Sequence, residues 1–140
     1  MTDIPHIKVR QAMTTEVHLI DPMATVREAM TKMDEKKVGW LVVPRRDEKD
    51  ELGIIGVINI ADQVIAENRS LDRTDVYEVM IKPVLSLDGD MDIRYAVRLL
   101  TRFRLTRAVV VDQNRDLAGI VTLRDMVLSY VQLEAAGIEA

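Results

Sequence analysis

Hydrophobic positions along the chain follow two rhythms. After Thr25, Val26, Ala29, Met30 and Met33 recur at i, i+3, i+4 and i+7, a single apolar stripe on an amphipathic helix for which Thr25 is a suitable N-cap. Val38 to Val43 is an unbroken apolar run, as expected of a strand covered on both faces. Ahead of the helix, Glu16-Val17-His18-Leu19-Ile20 has the β-branched content of a short strand, ended by Asp21-Pro22. The charged run Arg45 to Glu51 predicts a solvated hairpin loop, since nothing in it could be buried cheaply. A third strand, Ile54 to Ile58, leads through Asn59 into a helix with Ile60, Ala61, Val64 and Ile65 turned inward, and polar Asn68 to Asp75 makes a connection.

From Val76 the pattern starts again. Val9, Met13, Val17, Val26, Ala29 and Met33 match Val76, Met80, Val84, Ile93, Ala96 and Leu100 at a constant spacing of 67, as from Val9 to Val76. The stretch Gly119-Ile120-Val121-Thr122-Leu123-Arg124-Asp125 is matched to Gly56-Val57-Ile58-Asn59-Ile60-Ala61-Asp62, where the spacing drops to 63, so four extra residues are assigned to the charged loop of the first copy. The last helix starts near Leu123 with Met126, Val127, Tyr130 and Val131, and Leu133 to Ala140 forms a tail. Residues 1–70 and 71–140 are thereby two copies of a β-α-β-β-α motif. Each is too small to bury a sufficient core alone, which predicts a mixed α/β (α+β) fold in which two pseudo-twofold related motifs pack through their sheets and leave two clefts between them.

Composition narrows the function classes. Hydrophobic residues make up 48% of the chain, enough for a real core, while a net charge of -4 gives no electrostatic case for nucleic acid or an anionic membrane as the main partner. The absence of cysteine removes thiolate chemistry, disulfides and cysteine zinc sites. No apolar stretch approaches the roughly 20 residues of a membrane span, and Met1 to His6 has no basic segment followed by an apolar run, so a cytoplasmic protein is expected. His6 and His18 share no metal-ligand spacing, no nucleophile is paired with a base, and no glycine-rich phosphate loop occurs, which argues against an enzyme.

The junction at Gly119 to Asp125 has two readings. Thr122-x-x-Asp125 is close to a capping box and Asn59-x-x-Asp62 is an N-cap with an acid in the first turn, and neither needs a ligand. The other reading is a ligand-binding wall, to which the repeated frame lends weight, and the two are not exclusive.

With Met13 and Met80 after the opening turns, Leu41-Val42-Val43, Ala108 to Asp112 and the stretch Gly119 to Asp125, the chain from about Val9 to Val131 resembles a tandem pair of cystathionine-β-synthase (CBS) domains, a Bateman module. The last stretch is similar to that family's Gly-h-x-Ser/Thr-x-x-Asp signature, where h is apolar. Val42 and Val109 stand where the family usually has proline, and Asn59 is matched to its hydroxyl residue.

The resemblance implies a non-enzymatic regulatory sensor that takes AMP, ADP, ATP or a related adenosyl ligand in the clefts. Asp125 would hold the ribose diol and Thr122 the adjacent oxygen, facing Thr14, Thr15, Val17, Val38, Gly39 and Trp40, with adenine against Val17 and Val38. A weaker site would combine Asn59 and Asp62 with Lys82, Val84, Leu105, Thr106 and Arg107. Trp40 either stacks on ligand or serves as core. Lys82, Arg107 and Arg124 are the candidate phosphate contacts, whereas Arg94, Arg98 and Arg102 belong to a solvated helix face. By the same resemblance two chains form a homodimer through the helices after Asp62 and Asp125, with Val64, Ile65, Met126 and Tyr130 as contacts, and the module acts on a separate regulated protein. The alternative is a ligand-free structural or protein-interaction module that regulates its partner by dimerisation.

Overall fold

A computed structural model describes residues 6–139; Met1 to Pro5, read above for a targeting segment, and Ala140 lie outside that range. The elements are α1 (Val9–Ala12), α2 (Val26–Lys36), β1 (Trp40–Val43), β2 (Gly53–Gly56), α3 (Val57–Ile60), which continues as a π-helical turn over Ala61–Ile65, α4 (Val76–Val79), β3 (Ser86–Asp88), α5 (Ile93–Arg102), β4 (Arg107–Val111), β5 (Leu117–Thr122) and α6 (Leu123–Glu139). They form the expected mixed α+β architecture, with one two-stranded and one three-stranded sheet. No helix among the described residues is long and apolar enough to cross a membrane.

The chain folds as two compact units that do not follow the order of the copies. Among the described residues, one contains residues 17–84, and the other contains residues 6–16 together with 85–139. The opening segment of the first copy therefore packs with the body of the second, and that of the second with the body of the first.

In the 17–84 unit, Thr25 caps α2 by accepting from the Glu28 N–H at 3.1 Å, and Val26, Ala29 and Met33 are buried as the spacing predicts. The helix ends where Lys37 adopts a left-handed φ of 58° and the Val38 N–H returns to the Met33 carbonyl, closing the last turn. β1 and β2 are antiparallel with Trp40 opposite Gly56. The strand expected over Glu16 to Ile20 is reduced to one parallel bridge, Leu19 to Val42. On the other edge Ile81 bridges Ile54 through two backbone hydrogen bonds of 2.8 and 2.9 Å. Ile60 and Val64 point inward as predicted, but Ala61 and Ile65 are exposed. The buried row of this π-helical turn is the pair Ile60 and Val64 alone, and the adjoining pair one position on faces solvent. The connection 68–75 is tied to this unit: Thr74 is buried, its carbonyl accepts from the Val26 N–H, and Arg27 pairs with Asp72 at 2.6 Å.

The other unit repeats this plan. Ile93, Ala96 and Leu100 form the buried stripe of α5, and the helix closes with Arg104 at φ 55° and the Leu105 N–H on the Leu100 carbonyl. β3 is parallel to β4, and β4 is antiparallel to β5 with Arg107 opposite Thr122. Thr14 bridges Ile120 at the far edge. Val9 and Ile7 enter the core beside Leu87, Leu100 and Met126.

Asp92 caps α5, accepting from the Arg94 N–H at 2.8 Å and pairing with the Arg94 guanidinium. Arg94, partly opposed by desolvation and helped by its own N–H and by His6, holds this carboxyl down at about 2. A depressed acid supports the fold above its ordinary value, near 4, and that support is lost as pH falls towards 2. Asp92→Asn keeps a capping oxygen and removes the charge. We expect wild type to be the more stable at neutral pH in denaturant titrations, with the gap closing between about pH 4 and about pH 2; a gap independent of pH would contradict this assignment.

Candidate functional site

The site is built on the passage from β5 into α6. Thr122 ends the strand and its Oγ1 accepts from the Asp125 N–H at 3.0 Å, so the capping reading of this pair is real. The Leu123 N–H donates to the Thr106 carbonyl at 2.8 Å, which fixes the start of β4 beside the helix start. Asp125 is half-buried, and its carboxylate has no hydrogen bond or ion pair among the described residues. Arg124 is exposed. Arg107 is half-buried, and burial pushes its guanidinium below its ordinary value. Thr14 and Thr15 are exposed on the segment that pairs with β5, where Thr14 exchanges backbone hydrogen bonds of 2.9 and 3.0 Å with Ile120.

Those two strands approach closely. A Cβ on Gly119 would lie 2.5 Å from the Thr14 carbonyl oxygen and 2.8 Å from Met13 Sδ. Position 119 is thus glycine for want of space.

The 17–84 unit makes the same passage from β2 into α3, and it corrects the match drawn from sequence. The Val57 N–H donates to the Gly39 carbonyl at 3.0 Å, as Leu123 does to Thr106. A Cβ on Gly53 would lie 3.3 Å from both the Ile81 carbonyl oxygen and Met80 Sδ, so Gly53 is the counterpart of Gly119. The spacing is 67 from Trp40 to Arg107 and 66 from Gly53 to Gly119 or Gly56 to Thr122. The first copy's loop therefore carries one extra residue, rather than four. Thr122, Arg124 and Asp125 are answered by Gly56, Ile58 and Asn59, rather than by Asn59, Ala61 and Asp62.

The mismatch arose because Gly56-x-x-Asn59-x-x-Asp62 imitates the spacing of the true heptad. What fixes the register is the carbonyl of the incoming segment, and Met80-Ile81, at the same 67 spacing from Met13-Thr14, was the signal that pointed to Gly53. Asn59 turns its Oδ1 back onto the Gly56 N–H at 2.8 Å, the reverse half of a capping box, since glycine has no side chain to complete it. Asp62 is exposed on the π-helical turn.

Thr122, Arg124, Asp125, Thr14, Thr15, Leu105, Thr106 and Arg107 all fall in one unit, while Val17, Val38, Gly39, Trp40, Asn59, Asp62, Lys82 and Val84 fall in the other. Val84 is buried, Leu105 packs on the core of its unit, and Trp40, Val17 and Val38 are half-buried. Arg94 is not a freely solvated residue as expected, since Asp92 holds it, and Arg98 lies over the Tyr95 ring at 5.4 Å. Two residues assigned to a chain–chain contact cannot make one: Val64 and Met126 are fully buried in their cores. The exposed large apolar residues of those helices are Val57, Ile58, Ile65, Val127, Leu128, Val131 and Leu133 among the described residues.

A family model described as CBS domain matches residues 9–62 and again 76–131. The chain is 32% identical over 129 residues to the CBS domain-containing protein YhcV of Bacillus subtilis, covering 92% of this chain and 89% of that one. It is 31% identical over 121 residues to an uncharacterised protein of Methanopyrus kandleri, covering 86% of this chain but spanning only 61% of that protein. The solved structure of a hexameric CBS-CP12 protein from bloom-forming cyanobacteria is similar with a TM-score of 0.84 at 32% identity, over 91% of this chain and 73% of that one.

Proposed function

The chain belongs to the CBS domain family and carries two copies of the domain, and from that premise we propose that it is a non-enzymatic regulatory module that binds an adenosine-containing ligand such as AMP, ADP or ATP at the start of α6. The observation that carries this reading is the Asp125 carboxylate, half-buried and without a partner among the described residues, beside a capped helix start. A carboxylate accepts hydrogen bonds from both hydroxyls of a ribose diol, and the first turn of a 17-residue helix offers backbone N–H groups and a positive dipole end to an anion. Arg124 and Arg107 are the cations at hand for phosphate, and Thr122, Thr106, Thr14 and Thr15 supply hydroxyls nearby in the same unit.

Titration calorimetry with AMP, ADP, ATP, NAD and S-adenosylmethionine should reveal a saturable ligand, with Asp125→Ala weakening it at least about tenfold, the worth of one charge-assisted pair. Binding indifferent to that substitution would remove Asp125 from the site. A ligand selective for the native state also raises the melting temperature by mass action.

The second reading is a protein-interaction module acting through self-association, favoured by Ile58 and Ile65, which are 78% and 64% exposed on one face of α3 and its continuation. The hexameric cyanobacterial relative supports assembly of this kind. Light scattering would show a dimer or larger species, and Ile58→Glu would shift it to monomer.

A further inference from the structure

The charged loop between β1 and β2 is not the fully solvated hairpin its sequence predicts. Asp50 turns back from it, with only 9% of its side chain exposed. Lys82 Nζ lies 2.7 Å from one Asp50 oxygen and 2.8 Å from the other, and Arg46 donates to the same carboxylate from its backbone N–H at 3.0 Å and from Nε at 3.1 Å. Lys82 itself sits on a fixed backbone. Ile81 before it is bridged to Ile54, and the Val84 N–H after it donates to the Leu52 carbonyl.

We propose that Asp50 is a built-in anion that occupies the Lys82 ammonium, so that Lys82 is closed to phosphate and the first copy excludes anionic ligands. Asp50 is in this sense a specificity-determining residue. It deepens, and rests on, the reading that this chain takes a phosphorylated adenosyl ligand.

Three further observations support the assignment. The hydrogen bond from Lys82, then that from the Arg46 backbone, hold the Asp50 carboxyl far below the usual carboxylate range, so the internal anion persists at any working pH. In the other unit, the residue 67 positions before Lys82 is Thr15, so this cation has no equivalent there. The first copy also has Gly56, Ile58 and Asn59 where the second has Thr122, Arg124 and Asp125, leaving it without charge at the very positions that would meet a nucleotide. A displaced or missing partner would expose a primary ammonium whose stem springs from a fixed backbone position, which is a ready phosphate contact.

The test uses the full chain and inorganic phosphate, with residue-resolved amide NMR as the readout. In wild type the amides of Leu52, Ile54 and Lys82 should not move on phosphate titration. In Asp50→Asn they should shift saturably, and adding Lys82→Gln should abolish the shift. A saturable shift at Lys82 in wild type, or none in folded Asp50→Asn, overturns the proposal.

Should Asp50→Asn fail to fold, the wild-type titration still decides, and so does Lys82→Gln alone. That variant should bind AMP and ATP within about twofold of wild type, whereas loss of a genuine phosphate ligand costs about tenfold or more. The phosphate arm needs no nucleotide, so absence of nucleotide binding would end the adenosyl reading, and with it the specificity role of Asp50, while the phosphate shifts still report whether Asp50 closes Lys82. Normal nucleotide binding lost in Asp125→Ala, with Lys82 moving in wild type, would do the reverse.

Discussion

Gly119→Ala is expected to destabilise the protein by about 3 kcal/mol or more, the upper part of the range for an overpacked core, and to leave Gly53→Ala clearly milder. The difference follows from distance. An added methyl at 119 lands 2.5 Å from the Thr14 carbonyl oxygen, which accepts from the Ile120 N–H while the Thr14 N–H donates to the Ile120 carbonyl, so only separation of the paired segments can relieve it. At 53 the nearest atoms are 3.3 Å away and one of them is the flexible Met80 sulfur, which can withdraw. Gly119 is also six residues from Asp125 on a continuous strand-to-helix passage, so whatever nucleotide affinity survives in Gly119→Ala should fall as well. Chemical denaturation of the two variants side by side checks the order; equal losses would mean that the register matching Gly53 with Gly119 is wrong.

Leu100→Ala should cost about 3 kcal/mol, because a fully buried leucine closing the α5 stripe leaves a cavity that its neighbours fill only in part. Its sharper consequence concerns which backbone loosens with it. Val9 is buried in the same cluster as Leu100, Ala108 and Val110, whereas Leu41 and Val43 belong to the other cluster. Hydrogen exchange of Leu100→Ala should therefore show protection at Val9 to Met13 falling in step with that at Ala108 to Val110. Protection at Val9 to Met13 that instead tracks Leu41 to Val43 would contradict the observed division of the chain.

Much of the fold was legible in the sequence, for reasons that differ from element to element. The stripes Val26-Ala29-Met33 and Ile93-Ala96-Leu100 reveal α2 and α5 because helical periodicity is a local property and every member is buried. The Thr25 cap was legible for the same reason. The exchange of opening segments, which puts Thr14 and Thr15 with Thr122 and Asp125 and Lys82 and Val84 with Asn59, was legible through the resemblance alone, since no local pattern encodes which body Ile7 and Val9 bury against. Asp50 was misjudged because charge predicts exposure unless a partner is known, and Lys82 lies 32 positions further along the chain. Asp92 as a cap was overlooked amid the acids of Asp88 to Asp92, where composition gives several candidates and only the geometry selects one. At the candidate site, Thr122 and Asp125 were found correctly as a pair, while their counterparts were displaced by three residues because Asn59 and Asp62 mimic the spacing of a strand-to-helix signature.

The interleaving of the two units changes how this duplication must have been workable at each step. A chain holding one copy would present its opening segment to the body of another molecule, and that molecule would return the favour, giving a reciprocally swapped pair. Joining two copies end to end makes the swap internal, replaces a concentration-dependent encounter by a tethered one, and frees the two bodies to diverge. Gly56, Ile58 and Asn59 beside Thr122, Arg124 and Asp125 record such divergence. For anyone building chimaeras, a cut at the copy boundary near residue 70 transplants a body without the segment that completes it, whereas exchange of residues 17–84 moves one folded unit whole.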